Sequence, residues 1–96
     1  MNSITFERTD LNGSRATYTF REQQSPEGEV TEGMFELDLE QYQQLEAEGD
    51  AEAMDHTIYW LTPIQSDRQY WAGIKVFFQV YKHYLEHGTY LEQRSS

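Results

Sequence analysis

Cysteine is missing altogether from the 96 residues. Its absence excludes disulfides, iron–sulfur clusters, thiolate zinc sites and a thiol nucleophile, and it argues against a small disulfide-dependent secreted scaffold. Long apolar runs are missing too: no stretch approaches the roughly 20 residues that cross a bilayer. The start, Met1 to Arg8, is polar and strand-like, without the basic opening and apolar run of a signal peptide. A cytoplasmic protein with no membrane partner is the expectation. Catalytic signatures are missing as well. There is no GxSxG elbow, no HExxH, no phosphate-cradling glycine loop, and no Asp/Asn spacing with a central Gly as in an EF-hand. No cofactor and no enzymatic activity are expected.

Positive charge is the scarcest feature of the middle of the chain. From Glu22 to Asp67 there are thirteen acidic residues and no Lys or Arg. The rest holds four acidic residues against seven basic ones, within a net charge of −10. A surface that only confers solubility normally intersperses signs. An unbroken carboxylate stretch suits a partner rich in Lys and Arg, through steering and complementary potentials. The candidate partner-binding residues are Glu27, Glu29, Glu32, Glu36, Asp38, Glu40, Glu46, Glu48, Asp50 and Glu52, with carboxylates facing solvent and the intervening apolar residues facing the core. In an extended strand, side chains two apart are separated by about 6.6–6.8 Å, similar to the phosphate spacing along one nucleic-acid strand. Glu36, Asp38 and Glu40 would follow that spacing for as long as the chain stays extended. Direct nucleic-acid binding is disfavoured, because thirteen carboxylates would repel the backbone.

What is abundant is aromatic: five Phe, seven Tyr and two Trp. With the aliphatics they supply one core in a single domain, 1–96. Ser3–Thr9 and Arg15–Arg21 alternate with period two, the signal of half-buried strands. A three-residue loop, Leu11-Asn12-Gly13, would pair Phe6 with Tyr18 and Ile4 with Phe20, keeping the apolar rows on one face. A third strand is expected at about Glu32–Leu37. Asp38 then caps a short helix that carries Leu39, Tyr42 and Leu45 inward and stops near Gly49. Asp50–Asp55 can add a helical turn, and His56–Leu61 reads as a fourth strand or a buried connection.

From Asp67 to His87, apolar residues recur at steps of three and four, including Tyr70, Trp71, Ile74, Phe77, Phe78, Tyr81, Tyr84 and Leu85. That is an amphipathic helix, begun by Thr62-Pro63 or Ser66 and ended by Gly88, with Arg68, Lys75 and Lys82 on the opposite, solvent face. The expected fold is α+β: a three- to four-stranded antiparallel sheet, the long C-terminal helix packed on one face, and a short helix inserted after strand three. Residues from about 89 to 96 are expected to fray.

Two smaller constellations complete the inventory. Tyr59 and Tyr90 are the candidate exposed interface aromatics. His83 and His87 sit one helical turn apart, the spacing at which two imidazoles reach one metal, with His56 or Asp55 as a third ligand. The first functional expectation is a small acidic interaction protein that inhibits or modulates a basic, nucleic-acid-handling partner. Its size, charge and missing motifs resemble the profile of small phage inhibitors of host defence and of toxin-neutralising immunity proteins. The alternatives are a homo-oligomeric assembly component and a metal-dependent enzyme built on His83 and His87.

Overall fold

The computed structural model describes residues 3–23, 28 and 30–95. The elements run β1 (Ser3–Asn12), β2 (Arg15–Gln23), β3 (Val30–Asp38), α1 (Leu39–Ala47), α2 (Ala53–Thr57), β4 (Tyr59–Trp60), α3 (Asp67–His87) and β5 (Gln93–Ser95). The strands form one antiparallel sheet in the order β4-β3-β2-β1-β5. The α+β class, the long C-terminal helix on the sheet and the short helix after β3 follow the reading from sequence. No helix among the described residues is long and apolar enough to cross a membrane.

The β1–β2 hairpin differs from the expected register. The turn is a two-residue one, Gly13-Ser14 between paired Asn12 and Arg15, and Gly13 takes a φ of 64°. Positive φ at the first central position is what a II′ hairpin turn demands, and glycine supplies it without strain. A regular ladder from that turn would set Phe6 against Arg21 and mix the two faces. A bulge between Arg8 and Asp10 absorbs one residue, so Phe6 pairs with Phe20 and Ile4 with Glu22. The apolar rows stay on the core face through the bulge and without a longer loop.

That face carries Phe6, Tyr18, Phe20, Phe35 and Leu37, all buried. Their rings interlock edge-on or tilted, with centroids 6.1 Å apart for Phe6–Tyr18, 6.0 Å for Phe20–Phe35 and 5.6 Å for Phe35–Trp60, within the range at which aromatic pairs attract. Two glycines make room. A Cβ on Gly33 would lie 2.5 Å from the Phe20 ring, and one on Gly73 would lie 2.3 Å from the Trp60 indole.

Helix boundaries follow local chemistry. Asp38 accepts hydrogen bonds from the backbone N–H groups of Glu40 and Gln41 at the start of α1. Ser66 accepts from Gln69 N–H at the start of α3, and Gly88, with a φ of 74°, closes it by donating to Tyr84 O. Between α1 and β4 the chain corrects the sequence reading: His56 and Thr57 belong to α2, and only Tyr59–Trp60 pairs with β3.

α3 is rotated relative to the expected orientation. Its buried residues are Gln69, Ala72, Gly73, Ile74, Val76, Phe77 and Val80. Small and β-branched residues let the helix approach the sheet closely, and α1 closes its flank through Tyr42, whose ring centroid is 5.0 Å from Phe77 and 4.9 Å from Tyr81. This rotation carries Trp71, Phe78 and Leu85 out to solvent.

The C-terminal segment is ordered into the sheet instead of frayed. Leu91 is buried, its carbonyl accepts the Tyr18 hydroxyl proton, and Arg8 N–H donates to Glu92 O at 2.6 Å. β5 then pairs with β1 through Thr5–Ser95, Phe6–Arg94 and Glu7–Gln93. Buried backbone groups need partners, and this strap supplies them to the free edge of β1.

Candidate functional site

The acidic stretch divides in three when it folds. Glu22, its first member, is the exception to the expected solvent exposure. It lies on the core face in line with Tyr18 and Phe20 and is only 3% exposed. Lys75 Nζ stands 3.8 Å from its Oε2, and that oxygen accepts no hydrogen bond.

The β3 carboxylates form the second part. They point to the outer face, opposite α3, where β2 presents its own outward side chains. Arg15 Nη1 reaches Glu36 Oε1 at 3.0 Å, and Arg21 Nε lies 3.7 Å from Glu32 Oε1. Arg21 and Glu32 are directly paired across the strands, while Arg15 stands opposite Asp38, two residues from Glu36's partner Thr17. Two arginines that flank the acidic stretch in sequence are thus folded against it. Asp38 is also occupied: besides capping α1 it accepts the Ser14 hydroxyl proton at 2.7 Å. The extended spacing ends there, since Glu40 already belongs to α1. Glu27 and Glu29 lie outside the described residues.

The third part is the end of the molecule built by α1, α2 and the turn at Gly49 between them, where φ is 84°. It carries Glu40, Glu46, Glu48, Asp50, Glu52 and Asp55. No Lys or Arg forms an ion pair with any of the six among the described residues. Their partners are neutral or titratable. Tyr42 Oη donates to Glu46 Oε2 at 2.7 Å, and Tyr70 Oη donates to Asp55 Oδ1 at 2.7 Å. Burial and the Glu46 hydrogen bond push the Tyr42 hydroxyl up to about 12, and the Asp55 hydrogen bond raises Tyr70. Asp50 Oδ1 accepts from Glu52 N–H, and Asp50 Oδ2 lies 2.6 Å from His56 Nδ1. His56 Nε2 is 3.5 Å from Glu52. The hydrogen bond with Asp50 raises His56 above its ordinary value and holds Asp50 below its own. Glu40 and Glu48 are exposed, with no side-chain partner among the described residues.

The remaining candidates separate. Tyr59 is 66% exposed on the outer face, opposite Glu36. Tyr90 is not an exposed anchor. It is half-buried, its hydroxyl donates to Ser14 O and accepts from Leu39 N–H at 2.9 Å, and its ring packs 5.6 Å from Tyr84. His83 and His87 do meet, with ring centroids 4.5 Å apart and ring planes tilted by 39°. The proposed third ligands are drawn elsewhere, His56 to Asp50 and Asp55 to Tyr70, and no metal-sized group of three forms among the described residues. A cleft at the hairpin end brings Arg8, Glu40, His83 and Glu92 to one rim. Its charges are mixed, and Arg8 Nη2 lies 3.6 Å from Glu92 Oε1.

Sequence reasoning missed the outward stripe of α3. Trp71, Phe78 and Leu85 were expected inside, yet they are 59%, 50% and 59% exposed. The signal was present: at 3.6 residues per turn, a residue four positions on lies only about 40° around the helix, so Trp71 and Phe78 must neighbour Lys75 and Lys82. Compared with protein-family models, curated proteins and solved structures, the chain matches none.

Proposed function

We propose that this protein is a small acidic interaction module that binds a basic protein surface, of the kind nucleic-acid-handling proteins carry, and thereby inhibits or modulates it. The binding residues are those of the α1–α2 end: Glu40, Glu46, Glu48, Asp50 and Glu52, joined by Asp55. One observation carries this reading. These carboxylates meet no Lys or Arg counter-ion among the described residues, whereas Glu32 and Glu36 each have one. Unneutralised charge held on two short helices steers a basic partner and favours a complementary one. A pre-paired carboxylate must first lose its own arginine.

The test is titration with a polyarginine peptide, followed by low-salt capture from cells and identification of what elutes as salt is raised. Neutralising Glu40, Glu48 and Glu52 to Gln should weaken peptide binding. Neutralising Glu32 and Glu36 should leave it nearly unchanged, and added salt should weaken it throughout. Indifference to salt and to the α1–α2 substitutions would sink the reading.

A further inference from the structure

α3 has a second face that the core does not use. Arg68, Trp71, Lys75, Phe78, Lys82 and Leu85 follow one another at alternating steps of three and four residues. Three large apolar side chains, two turns apart, each at least half exposed, make a straight row on a helix whose inner face is already committed to the sheet. Scattered exposed apolar residues need no explanation; an aligned row bordered by cations along its length, with the carboxylates Asp67 and Glu86 only at its two ends, marks an interaction site. We propose that this face of α3 docks an acidic amphipathic helix of another protein, with apolar residues at the same three-and-four spacing and carboxylates along their flank.

The helical form of the partner follows from geometry. Trp71 to Leu85 covers fifteen residues, a rise of about 21 Å along the helix. A row of that length with two-turn spacing matches the apolar seam of a second helix laid along it. Its acidity follows from the cations. Arg68, Lys75 and Lys82 border the row at every second turn. Lys75 is partly engaged by Glu22, while Arg68 and Lys82 form no ion pair among the described residues.

The same cations argue against a second copy of α3 as the occupant. An antiparallel pair centred on Phe78 sets Lys75 of one copy beside Lys82 of the other. Like charges across a contact disfavour it. An anionic membrane fits less well, because interfacial helices bury a broad apolar face and this row is one residue wide.

The test uses the full chain and a synthetic helical peptide with leucines at the three-and-four positions and glutamates elsewhere. Its counterpart carries lysines in place of the glutamates. Trp71 is the reporter, and Trp71→Phe identifies its signal against that of Trp60. The acidic peptide should shift Trp71 emission to the blue in a saturable, salt-weakened way, and the lysine peptide should not. Arg68→Glu with Lys82→Glu should weaken binding roughly tenfold or more; both sites are exposed and neither is ion-paired to Glu22, so the fold is retained. Phe78→Ser should weaken it independently of salt. The proposal is overturned by an absent Trp71 shift, by an equal Trp71 shift with both peptides, or by indifference of that shift to those substitutions. It is equally overturned if Trp71 shifts only on phosphatidylserine vesicles, or if sedimentation shows a self-association that Phe78→Ser abolishes.

Discussion

Arg15 donates from Nη1 to Glu36 Oε1 at 3.0 Å, across a strand pair that joins the basic and acidic parts of the sequence. The arginine side chain is mostly exposed and the glutamate about a quarter exposed, so the pair is screened by solvent. A double-mutant cycle of Arg15→Ala and Glu36→Gln, read by urea denaturation, should give a coupling of about 0.2–1 kcal/mol. The coupling should shrink as salt is added. A coupling indistinguishable from zero at low salt would mean that Glu36 is not held by its arginine and belongs with the free carboxylates.

Trp60 and Gly73 give the sharpest packing prediction. The indole occupies the space that a Cβ at position 73 would need, 2.3 Å from its nearest atom. Alanine normally favours a helix over glycine by about 1 kcal/mol. Here the indole would have to move within a packed core, at a cost of about 1–3 kcal/mol, and the loss should exceed the gain. Gly73→Ala should lower the urea midpoint, and Gly73→Ala with Trp60→Leu should recover part of the difference. A midpoint raised by the single substitution would show that the ring has room to give.

The parts of this fold that were legible in the sequence are those that local chemistry decides. Asp38, Ser66 and Gly88 mark helix ends because orphan backbone groups must find partners within a turn. The alternation in β1, β2 and β3 marks strands because one face must be dry. What was not legible depends on meetings between distant residues. Nothing near Thr9 announces a bulge; it arises because a tight turn and an apolar row must be reconciled. The rotation of α3 depends on Trp60 finding Gly73. The candidate site suffered most. An acidic run with no internal cation looked like one surface, but strand pairing brought Arg15 and Arg21 against it and turned Glu22 inward.

Tyr90 ties the C-terminal segment to the hairpin turn and to the start of α1. Tyr90→Phe removes the acceptor of Leu39 N–H and the donor to Ser14 O. Leaving such half-buried groups unpaired should cost about 1–3 kcal/mol, read as a lower urea midpoint, with faster hydrogen exchange at Leu39. The same hydroxyl predicts alkaline behaviour. Burial pushes Tyr90 up to about 12 from its ordinary 10.0, so the folded state favours the protonated phenol. Its contribution is fully present below pH 10 and is lost as pH rises toward about 12, while the unfolded chain ionises first. Burial also raises Tyr18, which extends the effect in the same direction. A urea midpoint flat across that range would contradict this account.

His56 makes the acidic end responsive to mild acid. Its hydrogen bond with Asp50 raises His56 and lowers Asp50. The histidine part of their mutual stabilisation is present below the ordinary imidazole value and is lost as pH rises through the raised one. The aspartate part is present above the ordinary carboxylate value and is lost as pH falls through the lowered one. The pair is therefore most fully formed between about pH 4 and pH 6.5. An NMR titration of His56 should give a midpoint above the ordinary value, and Asp50→Asn should bring it back down. Because protonated His56 offsets one carboxylate, polyarginine binding should weaken as pH falls through that midpoint. The weakening should be absent in His56→Gln.

Lys75 and Lys82 lie two turns apart on one helix face, yet they should respond differently to the same change. Lys82 forms no ion pair among the described residues, so Lys82→Met should shift stability by no more than about 0.5 kcal/mol. Lys75 is the cation set 3.8 Å from the buried Glu22 carboxylate. Removing it leaves Glu22 with an unpaired charge on the core face, and a buried charge without its partner is destabilising. The exposed stem of Lys75 limits the effect, so Lys75→Met should cost about 1–3 kcal/mol. Glu22→Gln in the Lys75→Met background should return much of the loss, since it removes the charge that was left unpaired. Equal responses at the two lysines, with no rescue by Glu22→Gln, would show that Glu22 does not depend on Lys75 as its partner.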